Sequence, residues 1–372
     1  MAARDDEQDR GVRALHAQPD APLHVAVVAP PWLELPPDAY GGVEAVCSDL
    51  VGALVDRGVE VTLLGPGHNG TTAAFRRTGP AADPRRMGQA LPEVVHAARL
   101  PDLLADLEVD VVHDHTFAGP LVTAAHGLPT VVTAHGPVHG DMGAYYRMLS
   151  TRTSLVALSG AQREQLPGAR WAATVPNGLR PTRLPFRADK GEHAVFLGRM
   201  SPDKGPVWAI DAARAAGVPL VMAAKCREDD EVQYFEQAVA PRLGGDVHWI
   251  GEVGGRRKAE LLAGARCLVF PIDWEEPFGL VMIEAMACGT PVVALRRGAV
   301  PEVVEHARTG WVCDRPEELP VALLRAREID PRECRAAVEQ RFSDARLAAG
   351  YEQVYRRVLA THRRGATSLP AS

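Results

Sequence analysis

His24-Val-Ala-Val-Val-Ala29 runs through a proline-rich loop to Gly41-Gly42, a helical stretch from Val43 to Arg57, Gly58, and then Val59-Glu-Val-Thr-Leu-Leu64. The two β-branched runs have the length of buried strands. The segment between them has the length and periodicity of a helix, which Gly58 closes. Strand, glycine-rich loop, helix, strand is one βαβ unit, and its crossover makes the two strands parallel.

The alternation continues outward through Asp110-Val-Val-His113, Thr130-Val-Val-Thr133 and Leu155-Val-Ala-Leu158. From Thr174 to about Lys190 the chain turns irregular and rich in Pro, Arg and Gly, as a connection between domains does. A second series then begins at Ala194-Val-Phe-Leu197 and runs through Pro219-Leu-Val-Met-Ala223, Val247-His-Trp-Ile250, Cys267-Leu-Val-Phe270, Pro291-Val-Val-Ala-Leu295 and Gly310-Trp-Val-Cys313. The pattern predicts an α/β fold of two doubly wound domains facing each other, over 22–185 and 186–342. A last helix over 343–364, opened by Ser343, carries Leu347, Tyr351, Val354, Tyr355 and Val358 at helical spacing and should pack across the junction. Residues 1–21 and 365–372 are polar and aperiodic and read as disordered tails.

The 372 residues are 46% hydrophobic and 24% charged, which supplies two cores. Against 41 Lys and Arg stand 47 Asp and Glu, a net charge of −6, so no global basic field holds nucleic acid. Membrane association is not favoured either: Arg76-Arg77 and Arg85-Arg86 read as solvated charges, the N-terminal residues are charged where a signal peptide is apolar, and the long apolar run from Gly279 to Leu295 contains Glu284, Gly289 and Pro291. A cytoplasmic protein is expected. The six cysteines form no C-x-x-C pair, and His113, His115, His126, His135 and His139 lack the spacing of a ligand set, so no metal is expected.

In an open parallel sheet the chemistry sits at the carboxyl ends of the strands. Four loops there carry candidate groups. Gly41-Gly42 lets the backbone approach an anion at a helix N-terminus, or is simply a turn. Leu197-Gly-Arg-Met-Ser-Pro-Asp-Lys-Gly205 puts Arg199 and Lys204 on one strand-to-helix loop, where two cations would repel unless an anion such as a diphosphate neutralises them. Glu276 and Glu284 lie in Glu275-Glu-Pro-Phe-Gly-Leu-Val-Met-Ile-Glu284. A carboxylate on an apolar helix needs hydrogen-bond partners, either sugar hydroxyls or a neighbouring loop, and the amides of Phe278, Gly279 and Leu280 open that helix toward the same place. His135, in Thr133-Ala-His-Gly136, either faces the cleft or caps the strand end.

These features, in this order and over about residues 23 to 360, resemble the family 4 glycosyltransferases of the GT-B fold. The E-x7-E motif from Glu276 to Glu284 is similar to that family's signature, and Gly198-Arg-Met-Ser-Pro-Asp-Lys-Gly205, Val175-Pro-Asn-Gly-Leu179 and the closing helix are similar to its other landmarks. The resemblance implies two Rossmann-like domains across a cleft, with the last helix crossing back to the first domain. It also implies a hexosyltransferase that moves a sugar from a nucleoside-diphosphate donor, uridine by family frequency, to a hydroxyl acceptor held by the N-terminal domain. By the same resemblance Arg199 and Lys204 would bind the diphosphate and Gly42 would give it an amide from the opposite domain. Glu284 would hold the ribose, Glu276 and His135 would meet the transferred sugar, and Ile250 to Val253 would frame the base. Family members retain anomeric configuration, which implies front-face attack with the leaving diphosphate taking the acceptor's proton and no cofactor or metal.

Two departures stand out. Lys225 occupies a turn where relatives carry glycines, either adding charge there or lying on the surface, and Arg180 stands where relatives often have Asp. The alternative readings are a hydrolysing-type nucleotide-sugar epimerase, which would act without an acceptor, and a catalytically inactive nucleotide-sugar-binding subunit.

Overall fold

A computed structural model describes residues 22–37, 41–81 and 83–367. The tail expected at 1–21 lies outside the described residues, as do 368–372 of the tail expected at 365–372, whose first three residues continue the last helix. Seven strands form the N-terminal sheet: β1 His24–Val28, β2 Glu60–Pro66, β3 Ala74–Gly79, β4 Val111–Asp114, β5 Thr130–Thr133, β6 Ser154–Ala157 and β7 Trp171–Thr174. Their order is β3-β2-β1-β4-β5-β6-β7, all parallel. Six more, β8 Ala194–Arg199, β9 Leu220–Lys225, β10 Val247–Trp249, β11 Cys267–Phe270, β12 Val292–Leu295 and β13 Gly310–Cys313, form a second parallel sheet in the order β10-β9-β8-β11-β12-β13. The helices of the first domain are α1 Gly42–Asp56, α2 Ala90–Ala98, α3 Leu100–Leu104, α4 Gly119–Ala125, α5 Gly140–Leu149 and α6 Gly160–Glu164. Those of the second are α7 Pro206–Ala216, α8 Asp229–Tyr234, α9 Gly255–Gly264, α10 Leu280–Ala287, α11 Val300–Val303, α12 Leu319–Arg325 and α13 Pro331–Arg341, followed by α14 Asp344–Thr367.

The opening βαβ unit forms as its residues dictate. Val25 pairs with Val61 on one side and Val111 on the other, so β1 is central and covered on both faces. Val25 and Val27 meet the helices α1 and α14 while Ala26 and Val28 meet α3, which is why the strand reads as unbroken apolar sequence. Gly58, at φ 81, ends α1 with its amide on the Val55 carbonyl at 2.9 Å.

Strands β3 and β7 escape the sequence reading. Both are sheet edges, and Ala74-Phe-Arg-Arg-Thr-Gly79 carries the charges that edges tolerate, so no apolar run marks it. Arg76 pairs with Asp106 at 3.0 Å. The last helix lays Leu347, Tyr351, Val354, Tyr355 and Val358 against the α1 side of the N-terminal core, as its spacing predicts, and it runs to Thr367 rather than 364.

The chain crosses between domains twice, side by side. The Leu179 amide donates to Phe342 O at 3.0 Å and the Asp344 amide to Leu179 O at 2.8 Å. Arg180 belongs to this crossing: its guanidinium pairs with both Asp344 and Asp56, and its amide donates to Asp49 Oδ2 at 3.2 Å. The residue that departs from the family pattern thus ties the crossing to α1 and α14. Among the described residues no helix is long and apolar enough to cross a membrane.

Candidate functional site

Helices α1 and α10 start in different domains and meet head to head. A Cβ on Gly42 would lie 3.2 Å from Leu280 Cδ1, and Leu280 packs against the cores of both domains. The first amides of each helix have no intrahelical acceptor, so two partial positive charges face one gap. Gly279 opens α10 at φ 82, where a side chain would also strike Met282.

Arg199 ends β8 and Lys204 closes the short turn after it. Gly205, at φ 68, leaves no room for a Cβ against the Pro271 carbonyl, and the Asp273 amide donates to Asp203 O at 2.8 Å, so the loops after β8 and β11 interlock. Lys204 Nζ lies 2.9 Å from Glu276 Oε2 and 4.4 Å from the centre of the Trp274 ring. Arg199 reaches Asp203 at 3.3 Å and Glu231 at 3.8 Å. The two cations are not left uncompensated, as the loop sequence alone suggests: Arg199 has Asp203 four residues on in its own loop and Glu231 on α8, and Lys204 has Glu276 from the loop after β11. Glu231 and Trp274 are the residues that the sequence reading missed, and nothing local in the chain marks them.

The loop carrying Glu276 is itself held. The Ala299 amide donates to Glu276 O at 2.9 Å, the Gly298 amide to Glu275 Oε2 at 2.8 Å, and a Cβ at Gly298 would sit 2.3 Å from Glu276 O. Glu284 finds a cation too, Lys258 Nζ at 2.6 Å, which answers how this carboxylate sits on an apolar helix. Phe278 is buried edge to face with Phe342, so only its backbone is available to a ligand. Ile250 follows β10 with its amide on Met222 O at 2.9 Å, and Val253 is buried in the same core. Lys225 pairs with Glu228 and so is a compensated charge.

Across the gap, His113 is an anchor rather than a ligand. Its ring nitrogens lie 2.7 Å from the Tyr355 hydroxyl and 2.8 Å from Thr133 Oγ1, which meets Tyr351 at 2.6 Å. His115 Nδ1 lies 2.8 Å from His135 Nε2. Burial lowers all three imidazoles, His135 to about 4, so they are neutral at pH 7. Two buried carboxyls were not anticipated: burial pushes both Glu44 and Asp114 up to about 7. Among the described residues no three or more His, Cys, Asp or Glu side chains are grouped to hold a metal ion.

The structure therefore brings Gly42, Lys204, Glu276, Gly279 and Leu280 to one gap, with Arg199 on the Lys204 loop and Glu284 about one turn into α10. His135 is in the loop after β5, at the carboxyl edge of the N-terminal sheet, paired with His115. Comparisons with known proteins bear on the family and the fold. The family model described as Glycosyltransferase Family 4 matches residues 40–183, and that described as Glycosyl transferases group 1 matches 185–340. An alpha-maltose-1-phosphate synthase of Mycolicibacterium smegmatis is 30% identical over 331 residues, covering 74% of this chain and 81% of that protein. A glycogen synthase of Mycobacterium tuberculosis is 27% identical, covering 87% and 92%. The crystal structure of AviGT4, a glycosyltransferase involved in avilamycin A biosynthesis, superposes with a TM-score of 0.70 at 30% identity, covering 91% of this chain and 98% of that one.

Proposed function

This chain belongs to the group 1, family 4 kind of glycosyltransferases with the GT-B fold, and from that premise we propose that it moves a hexose from a nucleoside-diphosphate sugar, uridine first, to a hydroxyl acceptor with retention of configuration. The observation that carries the reading is the meeting of two helix N-termini from opposite domains, at Gly42 and Gly279, beside Lys204 and Arg199. A diphosphate is the ligand whose charge such a gap matches.

In the proposed reaction the bond from the anomeric carbon to the phosphate oxygen breaks, and its electron pair goes to the diphosphate. The acceptor oxygen bonds to the same face of that carbon and passes its proton to the released phosphate oxygen. Lys204, Arg199 and the helix amides stabilise the charge that develops there. Glu276 would hold hydroxyls of the transferred sugar, Glu284 the ribose, and Ile250 and Val253 the base. Neutral His135 would pair with a sugar oxygen without adding charge.

The test offers UDP-, ADP- and GDP-hexoses with a panel of hydroxyl acceptors, with and without EDTA. Acceptor-dependent release of nucleoside diphosphate, an α-linked product from an α-linked donor, and activity that persists in EDTA are expected, because protein groups meet the leaving group's charge. Interconversion of donors without an acceptor would mean an epimerase. Donor binding without turnover would mean an inactive subunit.

A further inference from the structure

The register of the second sheet sets a third cation beside Arg199. Strands β8 and β9 run parallel, and Arg199 at the end of one is paired with Lys225 at the end of the other. Residues paired in this way project to the same face of the sheet, on strands about 4.8 Å apart. The Met200 amide donates to Lys225 O at 2.8 Å, so the loop that carries Lys204 leaves β8 fastened to this residue. Both cations act on one buried carboxylate, Glu231. Its Oε1 lies 3.8 Å from Arg199; burial and the Glu228 side chain raise that carboxyl, while the Arg227 amide and the Lys225 charge lower it.

The exposures within the Lys225 pair are unequal. The lysine side chain is 13% exposed, whereas its partner Glu228, at 2.5 Å, is 53% exposed. A carboxylate so open to water contributes little to an ion pair, so a nearly buried ammonium is left with a counter-ion that swings away at small cost. Arg227, two residues on, pairs with Glu252 at 2.8 Å, inside the loop from Ile250 to Val253. Lys225 therefore stands between that loop and the end of β8, as the strand order β10-β9-β8 requires.

We propose that Lys225 is a donor-binding residue that holds the phosphate nearer the nucleoside, taking it in exchange for Glu228. This rests on the reading of the cleft as a nucleotide-sugar site. With the base beyond β10 and the transferred sugar beside Glu276 beyond β11, a nucleotide crosses the ends of β9 and β8 in that order. Its first phosphate then comes to Lys225 and Arg199, and its second to Arg199 and Lys204. A lysine suits such an exchange, because its ammonium is a compact charge on a flexible stem with rotatable donors.

Calorimetry on the full chain, with the mono- and diphosphates of uridine, adenosine and guanosine, tests the assignment. Lys225→Gln should weaken the preferred nucleoside's monophosphate and diphosphate by the same factor, about tenfold, and Lys225→Arg should restore most of the loss. Lys204→Ala should weaken the diphosphate yet leave the monophosphate within about twofold. Glu228→Gln releases the ammonium without touching it and should tighten both several-fold. A Lys225→Gln chain that binds both nucleotides as the wild type does, or that is weakened for the diphosphate alone, overturns the assignment. So does a wild type that binds a diphosphate and has no measurable affinity for the corresponding monophosphate. Failure of the underlying reading shows separately, as a wild type that binds none of the three diphosphates, and it takes the proposal with it.

Discussion

The Lys204–Glu276 pair is nearly closed to water, with side chains 15% and 12% exposed. Under the proposed function a diphosphate arriving beside Lys204 would compete with Glu276 for the same ammonium, and the released carboxylate would then be free for sugar hydroxyls. Binding would thus be an exchange of counter-ions, which avoids leaving either buried charge alone. Lys204→Ala and Arg199→Ala should each lower kcat/KM by about 100-fold or more, roughly 2.7 kcal/mol of transition-state stabilisation; unchanged turnover would remove the diphosphate role. Glu276→Gln should lower turnover yet tighten UDP, since Lys204 loses its internal competitor; calorimetry giving weaker or equal UDP affinity would reject the exchange. Asp114 carries a different consequence. Burial holds its carboxyl at about 7, above about 4 for an unfolded chain, so the folded state binds the proton more tightly. The stability this gives is fully present below about pH 4 and is lost as pH rises through 7. Asp114→Asn keeps an acceptor for Thr116 and cannot ionise. Its melting temperature should fall less between pH 6 and pH 8 than that of the wild type, with Glu44 leaving a residual slope; equal slopes would show that Asp114 does not titrate there.

At the scale of elements, α10 presents both Glu284 and an N-terminus, yet its eight residues are too few to be stable alone. Its far end is held by Lys190. Nζ donates to Cys288 O at 2.9 Å, to Ala263 O at the end of α9 at 3.0 Å, and to Thr290 Oγ1 at 2.9 Å. A cation on two helix C-termini is favourably placed, although burial lowers this amine to about 8. Lys190→Met should cost about 2–3 kcal/mol, read by urea unfolding, because three carbonyl or hydroxyl partners lose a charged donor; a loss under about 0.5 kcal/mol would mean that water replaces the amine. The sequence reveals α10 through its apolar run and the glycines at either end. It does not reveal Lys190, which reads as one more polar residue in an irregular connection, because its partners lie 73 to 100 positions away. Strand edge β3 was hidden for the converse reason: its pairing partner is apolar but its own run carries Arg76, Arg77 and Thr78. Strand β7, Trp171-Ala-Ala-Thr174, was hidden because it is short and lacks the Val and Ile run that marks the central strands.

For the whole molecule, the alternation of strands and helices was enough to give two parallel domains and to put Gly42, Arg199, Lys204, Glu276 and Glu284 at strand ends. How the two edges touch was not legible, since that depends on residues that look like ordinary surface. Glu302 is such a residue. Its carboxylate accepts two amides at the start of α6 in the other domain, and it stands on α11, directly after the Gly298-Ala299 turn that grips the Glu276 backbone. The turn that grips the loop proposed to meet the donor and the contact that joins the domains are therefore consecutive in the chain, so moving one biases the other. A carboxylate on a helix N-terminus contributes about 1 kcal/mol, which alters a balance between open and closed arrangements several-fold. Glu302→Ala should accordingly open the molecule about the paired crossing at Leu179 and Asp344, enlarging the radius of gyration in small-angle scattering without donor. Saturating donor should recover the closed value, with donor KM raised several-fold and kcat nearly unchanged. Scattering curves that coincide for wild type and variant, with and without donor, would show that Glu302 does not govern closure.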